Sequence, residues 1–269
     1  MDATQKQLTF ARAGGIAFGI GTQLFFAVTV YFLFFFLRDG VQSPGRSWIV
    51  VDLVLALQFA VVHSILLLPA VRSRIGQVLA SPLYGSLFAA ATCGGLWLMF
   101  SLWRSSETVV WSAVGWQRTF VVAGFYASWI ALFYSLHLGG LGYQTGLTQW
   151  LHWLRRKPLP KRGFNEHGAY GWLRHPVYLS FLGLIWFTPR MTADHAVLTA
   201  TWTIYIFVGS YLKDLRLTYY LGDSYREYAS RVPGYPGMFF GPLARWPGDA
   251  PVREGNSARA QTHVAQKAA

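Results

Sequence analysis

Long apolar stretches separated by short polar segments dominate the pattern of this chain. A helix needs about 20 mainly apolar residues to cross about 30 Å of hydrocarbon. Four stretches meet this length, and a shorter apolar pair follows, so the pattern predicts five to six membrane-spanning helices. The six stretches are 13–37, 48–70, 82–103, 119–141, 177–187 and 196–212.

The composition supports this interpretation. Hydrophobic residues make up 53% of the chain and charged residues only 13%, with 20 Phe, 14 Tyr and 12 Trp. Soluble domains carry about 25% charged residues. We therefore expect an all-α, polytopic membrane helical bundle whose first partner is the lipid bilayer.

The positive charge follows membrane topology rather than a polyanionic partner. The net charge is +12, and if all six stretches cross, 18 of the 23 Lys and Arg residues fall on one side. Basic residues are enriched in cytoplasmic loops. The bias predicts cytoplasmic N- and C-termini in a bacterial inner membrane, gives no support to a nucleic-acid partner, and leaves a basic surface for anionic headgroups.

Three regions are expected along the chain. Residues 1–143 would form an N-terminal four-helix membrane half, and 144–241 a C-terminal half containing a helical hairpin. Two short helices after residue 212, separated at Gly222, would form a cytoplasmic helical cap over the membrane part. Residues 242–269, rich in Ala, Pro, Gly and polar residues, are predicted to be a disordered tail.

Two polar residues lie within the second apolar stretch. Asp52 and His63 are 11 residues apart, which places them on one helix face but about 16 Å apart along the axis. Wetting at the helix end for Asp52 and an interhelical hydrogen bond for His63 are the simpler interpretations. No spacing of His, Cys or carboxylates typical of a metal site is present.

A different prediction comes from GWLRHPVYLSFLGLIWF, residues 171–187, where Arg174 and His175 directly precede an apolar run. Ionisable groups at the edge of hydrocarbon favour a functional site. Pro176 in a first helical turn and basic residues at the cytoplasmic interface would equally mark an ordinary helix start. From these residues alone both interpretations remain open.

The order of the neighbouring residues resembles that of the integral-membrane methyltransferases related to isoprenylcysteine carboxyl methyltransferase and the phospholipid methyltransferases. The matching residues are Gly168, Tyr170, Arg174, His175, Pro176 and Tyr178, followed by Gly222, Tyr225, Tyr228, Val232 and Pro233. A turn made of Thr188, Pro189, Met191, Thr192 and His195 is most similar to the methanethiol S-methyltransferase and NnrU-like branch. The resemblance is strong over 168–233 and weak before residue 143.

One departure from the family pattern concerns the acidic pair on the last membrane helix. Relatives usually have two consecutive acidic residues there, whereas this chain has Lys213 and Asp214. Only Asp214 can serve as a carboxylate. The departure bears on how the cofactor is held, or on which acceptor is used.

The resemblance implies an enzyme that uses S-adenosyl-L-methionine. Arg174 and His175 would be catalytic, and the cofactor would be held by Tyr170, Arg174, His175, Tyr178, Asp214, Tyr225 and Tyr228. No metal is expected. The leading acceptor is a small thiol such as methanethiol, reached through the bilayer. The alternatives are an isoprenylcysteine or phospholipid acceptor, or a non-enzymatic NnrU-like membrane accessory protein.

Overall fold

The computed structural model describes residues 3–41, 43, 48–160 and 165–247. These residues form ten α-helices, two short strands and two 3₁₀ turns. The helices are α1 (Ala3–Asp39), α2 (Trp48–Leu66), α3 (Pro69–Ile75), α4 (Tyr84–Leu102), α5 (Gly115–Leu138), α6 (Leu141–Gln144), α7 (Leu147–Leu154), α8 (Pro176–Trp186), α9 (Ala193–Leu221) and α10 (Asp223–Arg231). The strands are β1 (Val109–Ser112) and β2 (Arg190–Thr192), and the turns are Ser81–Leu83 and Gly168–Gly171.

Four of the described helices are long and apolar enough to cross a membrane. They cover Ala11–Asp39, Trp48–Leu66, Ser81–Leu102 and Gly115–Leu138. Large apolar side chains on their outer faces, such as Leu24, Val50 and Ile130, are more than 60% exposed, as lipid-facing residues are. The protein is therefore a mostly helical integral membrane protein. The predicted count of five to six spans is not confirmed, because α8 has only 11 residues and extends about 16 Å.

A large apolar core holds the bundle together, and a second, smaller cluster lies around the tyrosines of α10. Helix α1 packs on α4, α2 packs on both α4 and α9, and α5 packs on α8. Leu55, Leu96, Trp129, Leu184 and Leu198 are among the buried residues of this core. The short helix α8 and the long helix α9 are therefore part of the bundle and not a separate domain.

A two-stranded antiparallel ribbon, which sequence reasoning did not predict, closes one end of the bundle. Val109 pairs with Thr192 and Ser112 with Arg190, with an irregularity between Val109 and Trp111. β2 lies in the turn between α8 and α9, so the ribbon ties the α8–α9 hairpin to the loop before α5.

The opposite end carries the short helices α6 and α7. Trp150 of α7 is buried, and its Nε1 donates to the carbonyl of Gly15 at 3.1 Å. The helix ends at Leu154 and packs against α1, and residues 161–164 lie outside the described residues.

Helix α9 runs without interruption until Gly222, whose φ of +60° is a conformation that favours glycine. Helix α10 begins at the next residue. The chain therefore turns back at the predicted position and brings the two tyrosines of α10 against the start of α8.

Candidate functional site

The Arg174–His175 dipeptide lies in a short connection between a 3₁₀ turn and α8. Gly168 begins the turn with a φ of +60°, and a Cβ on it would meet Leu138 Cδ1 at 2.7 Å. The backbone N–H of Arg174 donates to the carbonyl of Pro233 at 2.9 Å. Pro176 then occupies the first turn of α8. The connection is thereby fixed to the segment that follows α10.

Arg174 is the centre of the site. Its side chain is completely buried, and both Nε and Nη2 donate to Asp214 Oδ2, at 3.2 and 3.0 Å. Nη1 donates to the carbonyls of Ala229, Val232 and Ala244 at 2.8 to 3.1 Å. Charge-assisted hydrogen bonds between a guanidinium and a carboxylate are among the strong hydrogen bonds of proteins. Arg174 therefore joins α9 to α10 and to the segment after α10.

Asp214 is shared by three partners. Besides Arg174, the phenol of Tyr225 donates to Oδ1, and His175 Nε2 lies 3.1 Å from the same oxygen. The side chain of Asp214 is completely buried. The single carboxylate that this chain keeps is therefore the acceptor around which the site is built.

His175 is buried at the N-terminus of α8, and neither ring nitrogen has a well-aligned hydrogen bond. Its ring stacks on Tyr178, with centroids 5.6 Å apart, and lies 5.6 Å from the ring of Tyr235. Burial lowers the pKa of His175, and the neighbouring Asp214 only partly opposes this. The imidazole is accordingly neutral near pH 7 and able to accept a proton.

The tyrosines of α10 complete the interior of the site. Tyr225 and Tyr228 are each 1% exposed, and Tyr228 donates to the backbone carbonyl of Tyr170 at 2.6 Å. Burial and the negative charge of Asp214 raise the pKa of Tyr225, so its phenol stays protonated and remains a donor. Burial likewise raises the pKa of Tyr228.

The segment after α10 packs over these residues. Leu243 and Ala244 are buried, Trp246 lies over the Arg174 guanidinium at 5.4 Å, and its backbone N–H donates to Ala229 at 3.0 Å. This differs from the predicted disordered tail beginning at residue 242, because Arg174 engages the carbonyls of this segment. Residues 248–269 lie outside the described residues.

Two basic residues flank Asp214 on α9. The Nζ of Lys213 lies over the rings of both Tyr170 and Tyr178, 5.9 and 5.2 Å from their centroids. Arg216 interacts electrostatically with Tyr178 and with His63 of α2. The position where the family resemblance led us to expect a second carboxylate is therefore a cation contacting two aromatic rings.

The structure brings together all seven residues predicted for the site, which are Tyr170, Arg174, His175, Tyr178, Asp214, Tyr225 and Tyr228. It does not bring His195 to them. His195 follows the far end of α8, where its Nε2 lies 3.3 Å from the carbonyl of Ile185. The 11-residue helix α8 separates it from His175 by about 16 Å.

The remaining polar residues noted in the sequence have structural partners. Asp52 accepts from the backbone N–H of Arg104 at 2.9 Å. His63 Nδ1 lies 3.3 Å from Thr92 Oγ1 on α4, as an interhelical hydrogen bond would. Among the residues that the structure describes, no group of His, Cys, Asp and Glu could hold a metal ion.

Sequence reasoning missed Tyr235 and Trp246. Tyr235 contacts His175 and is hydrogen bonded to Ser210 of α9. Its position two residues after Pro233, in a run of glycines and prolines, was the available signal. Trp246 stood in a segment whose composition pointed to disorder, so nothing in the sequence indicated its contact with Arg174.

Comparison with known proteins decides the family. Methanethiol S-methyltransferase of Pseudomonas deceptionensis is 31% identical over 211 residues, 77% of this chain and 79% of the relative. The Mycobacterium tuberculosis protein of that name is 30% identical over 230 residues, 81% of this chain and 93% of the relative. The chain belongs to the methanethiol S-methyltransferase family. It is accordingly a membrane methyltransferase.

A more distant relative is Nurim of Rattus norvegicus, 27% identical over 192 residues, which cover 68% of this chain and 72% of that protein. No protein-family model matches the chain. No solved structure matches it either. The family assignment therefore comes from the named relatives, and the geometry of the site from the structure itself.

Proposed function

We propose that this protein transfers a methyl group from S-adenosyl-L-methionine to methanethiol, giving dimethyl sulfide. The observation that carries the proposal is the 30–31% identity, over about 80% of the chain, to relatives named methanethiol S-methyltransferase. The buried cluster of Arg174, His175 and Asp214 supplies a site for such chemistry.

The residues of the site fit the methyl donor. The donor carries a cationic sulfur, an adenine, ribose hydroxyls and an amino-acid group. Tyr170 and Tyr178 offer ring faces that already contact a cation, and His175 is a buried side chain whose ring nitrogens have no aligned hydrogen bond. When bound, the donor would supply a methyl group on a positively charged sulfur.

The seven predicted residues divide into two roles. His175, Tyr170 and Tyr178 would contact the donor or acceptor. Arg174, Asp214, Tyr225 and Tyr228 would act mainly by position, because their polar groups are engaged by one another and by backbone carbonyls. For Arg174 to hold the donor's carboxylate, as the resemblance implies, it would have to exchange one of these acceptors.

His175 would be the base. A thiol must lose its proton to react well, and free thiols have a pKa of about 8.5. The neutral imidazole would take the thiol proton, and the positive charges of Arg174 and Lys213, which act on His175, would also favour a thiolate beside it. The packed rings and the segment after α10 would exclude water from the site. The same packing would hold the reacting sulfur in line with the methyl group.

We further propose that the α8–α9 hairpin supplies the fifth and sixth membrane segments and that the site faces the cytoplasm. The excess of basic residues on the side of the Arg174 connection supports this orientation. Helix α10 would then be the cytoplasmic cap. Reporter fusions to the C-terminus and to the β1 loop would locate each in the cytoplasm or outside it, and an external C-terminus would contradict the orientation.

The activity test uses methyl-labelled donor with the detergent-purified protein and three classes of acceptor: methanethiol, a farnesylated cysteine derivative and phospholipid vesicles. Label is expected in volatile dimethyl sulfide. Label found only in the farnesylated or the phospholipid product would show that this compound, and not methanethiol, is the methyl acceptor. No transfer by folded protein to any of the three would favour a non-enzymatic accessory role.

A further inference from the structure

The ammonium of Lys213 occupies a position between two tyrosine rings. Its Nζ is 5.9 Å from the ring centroid of Tyr170 and 5.2 Å from that of Tyr178. A cation within about 6 Å of a ring face is attracted by the ring's quadrupole. The two rings therefore form a small site for a positive charge, next to the buried His175 and Asp214.

The geometry of this site is set by the surrounding protein rather than by Lys213. The backbone carbonyl of Tyr170 accepts from Tyr228 at 2.6 Å, and the Tyr170 hydroxyl points to the carbonyl of Ser135 at 3.4 Å. The Tyr178 ring stacks on His175. Lysine, in contrast, is a flexible chain that can carry its ammonium elsewhere. The rings would stay in place if the ammonium left.

We propose that Tyr170 and Tyr178 bind the cationic sulfur of the methyl donor, and that Lys213 fills this site until the donor displaces it. The proposal rests on the function proposed above. A sulfonium has no N–H or O–H to donate, so a ring face suits it better than a hydrogen-bond acceptor. The nearby carboxylate of Asp214 is already shared by Arg174, His175 and Tyr225.

The proposal also accounts for release of the spent donor. After methyl transfer the sulfur is neutral, so its attraction to the rings is lost. The Lys213 ammonium then regains its place over Tyr170 and Tyr178 and competes with the product. Lys213 thus sets how tightly the donor and the product are held.

Calorimetric titration tests the ring pair with two ligands, S-adenosylmethionine and S-adenosylhomocysteine, which differ only in the methyl group and its charge. The measured quantity is the dissociation constant of S-adenosylhomocysteine divided by that of S-adenosylmethionine. Tyr178→Leu should lower this ratio about fivefold, as expected for loss of one cation–ring contact. Tyr178→Phe keeps the ring and should keep the ratio.

Replacement of Lys213 tests the displaced cation. Lys213→Met removes the competitor, so both ligands should bind more tightly, by roughly fivefold, with their ratio unchanged. Lys213→Arg keeps a cation that can stack on the rings, and should bind both ligands as the unmodified protein does. Weaker binding of both ligands to Lys213→Met would show that Lys213 holds the donor instead of yielding to it.

The outcomes separate this inference from the proposed function. Folded unmodified protein that does not bind S-adenosylmethionine would overturn both. Saturable binding with a ratio that Tyr178→Leu leaves unchanged would overturn the ring site alone. A normal thermal unfolding transition for Tyr178→Leu and Tyr178→Phe establishes that each titration reports on folded protein.

Discussion

Replacing Arg174 by Met tests whether this one side chain holds the site together. The substitution removes the two hydrogen bonds to Asp214 Oδ2 and leaves that carboxylate buried with no guanidinium. Breaking a buried ion pair by removing one partner costs about 3–5 kcal/mol. At about 2–4 °C per kcal/mol for a chain of this size, we expect the unfolding temperature to fall by about 10 °C.

The substitution should also release the segment that covers the site. Arg174 donates to the carbonyls of Ala229, Val232 and Ala244. Without these bonds, limited proteolysis of the detergent-purified protein should cut within residues 233–247 faster than in the unmodified protein. Thermal unfolding followed by tryptophan fluorescence gives the stability, and the proteolysis gives the location of the loosened segment.

A matched control is the exposed pair of Arg231 and Glu166. Its atoms are 3.1 Å apart, almost the distance in the buried pair, but the two side chains are 59% and 37% exposed. Exposed pairs contribute about 0–1 kcal/mol, so Arg231→Met should change the unfolding temperature by no more than about 4 °C. A fall for Arg174→Met no larger than this, with unchanged proteolysis, would refute the reasoning.

Three further substitutions test other contacts by thermal unfolding. Tyr225→Phe removes a buried hydrogen bond to a carboxylate and should cost about 1.5–3 kcal/mol; an unchanged transition would contradict its role. Burial lowers the pKa of His175 below its ordinary 6.5. As the pH drops, the unfolded chain therefore takes up a proton on this histidine before the folded protein does, and the stability should fall between about pH 7 and 5. His175→Gln should make this fall less steep. An equally steep fall in the variant would show that His175 is not its cause. Gly146 has a φ of +76°, and a Cβ there would lie 2.2 Å from a backbone nitrogen, so Gly146→Ala should destabilise strongly. Gly94→Ala, at an open helical position, should not, and equal effects would contradict this packing.

The long helices and the motif residues were predictable for different reasons. A long apolar run in lipid forms a helix, because every backbone polar group must find its hydrogen-bond partner within the segment. The ends of α2, α4 and α5 therefore lie close to the predicted ones, whereas α1 begins at Ala3, well before the predicted start at residue 13. The candidate site residues were predicted from their order along the chain, and the structure places them within hydrogen-bonding or stacking distance of one another.

The features that the sequence did not predict depend on contacts between distant segments. The ribbon of β1 and β2 joins strands about 80 residues apart, and neither strand shows a clear alternating pattern. Residues 242–247 are held because Arg174 donates to the backbone carbonyls of Pro242 and Ala244. Every residue has a carbonyl group, so the composition of the segment does not predict this contact. The side chain of Lys213 could be recognised as unusual, but its position over Tyr170 and Tyr178 required the geometry of two helices and a turn.

The most direct test of the central claim is transfer of a trideuterated methyl group from S-adenosylmethionine to methanethiol, with the headspace analysed by mass spectrometry. The purified protein should release dimethyl sulfide carrying three deuterium atoms, and His175→Gln, folded by its thermal transition, should release far less. Folded protein that binds the donor but forms no labelled dimethyl sulfide would contradict the account.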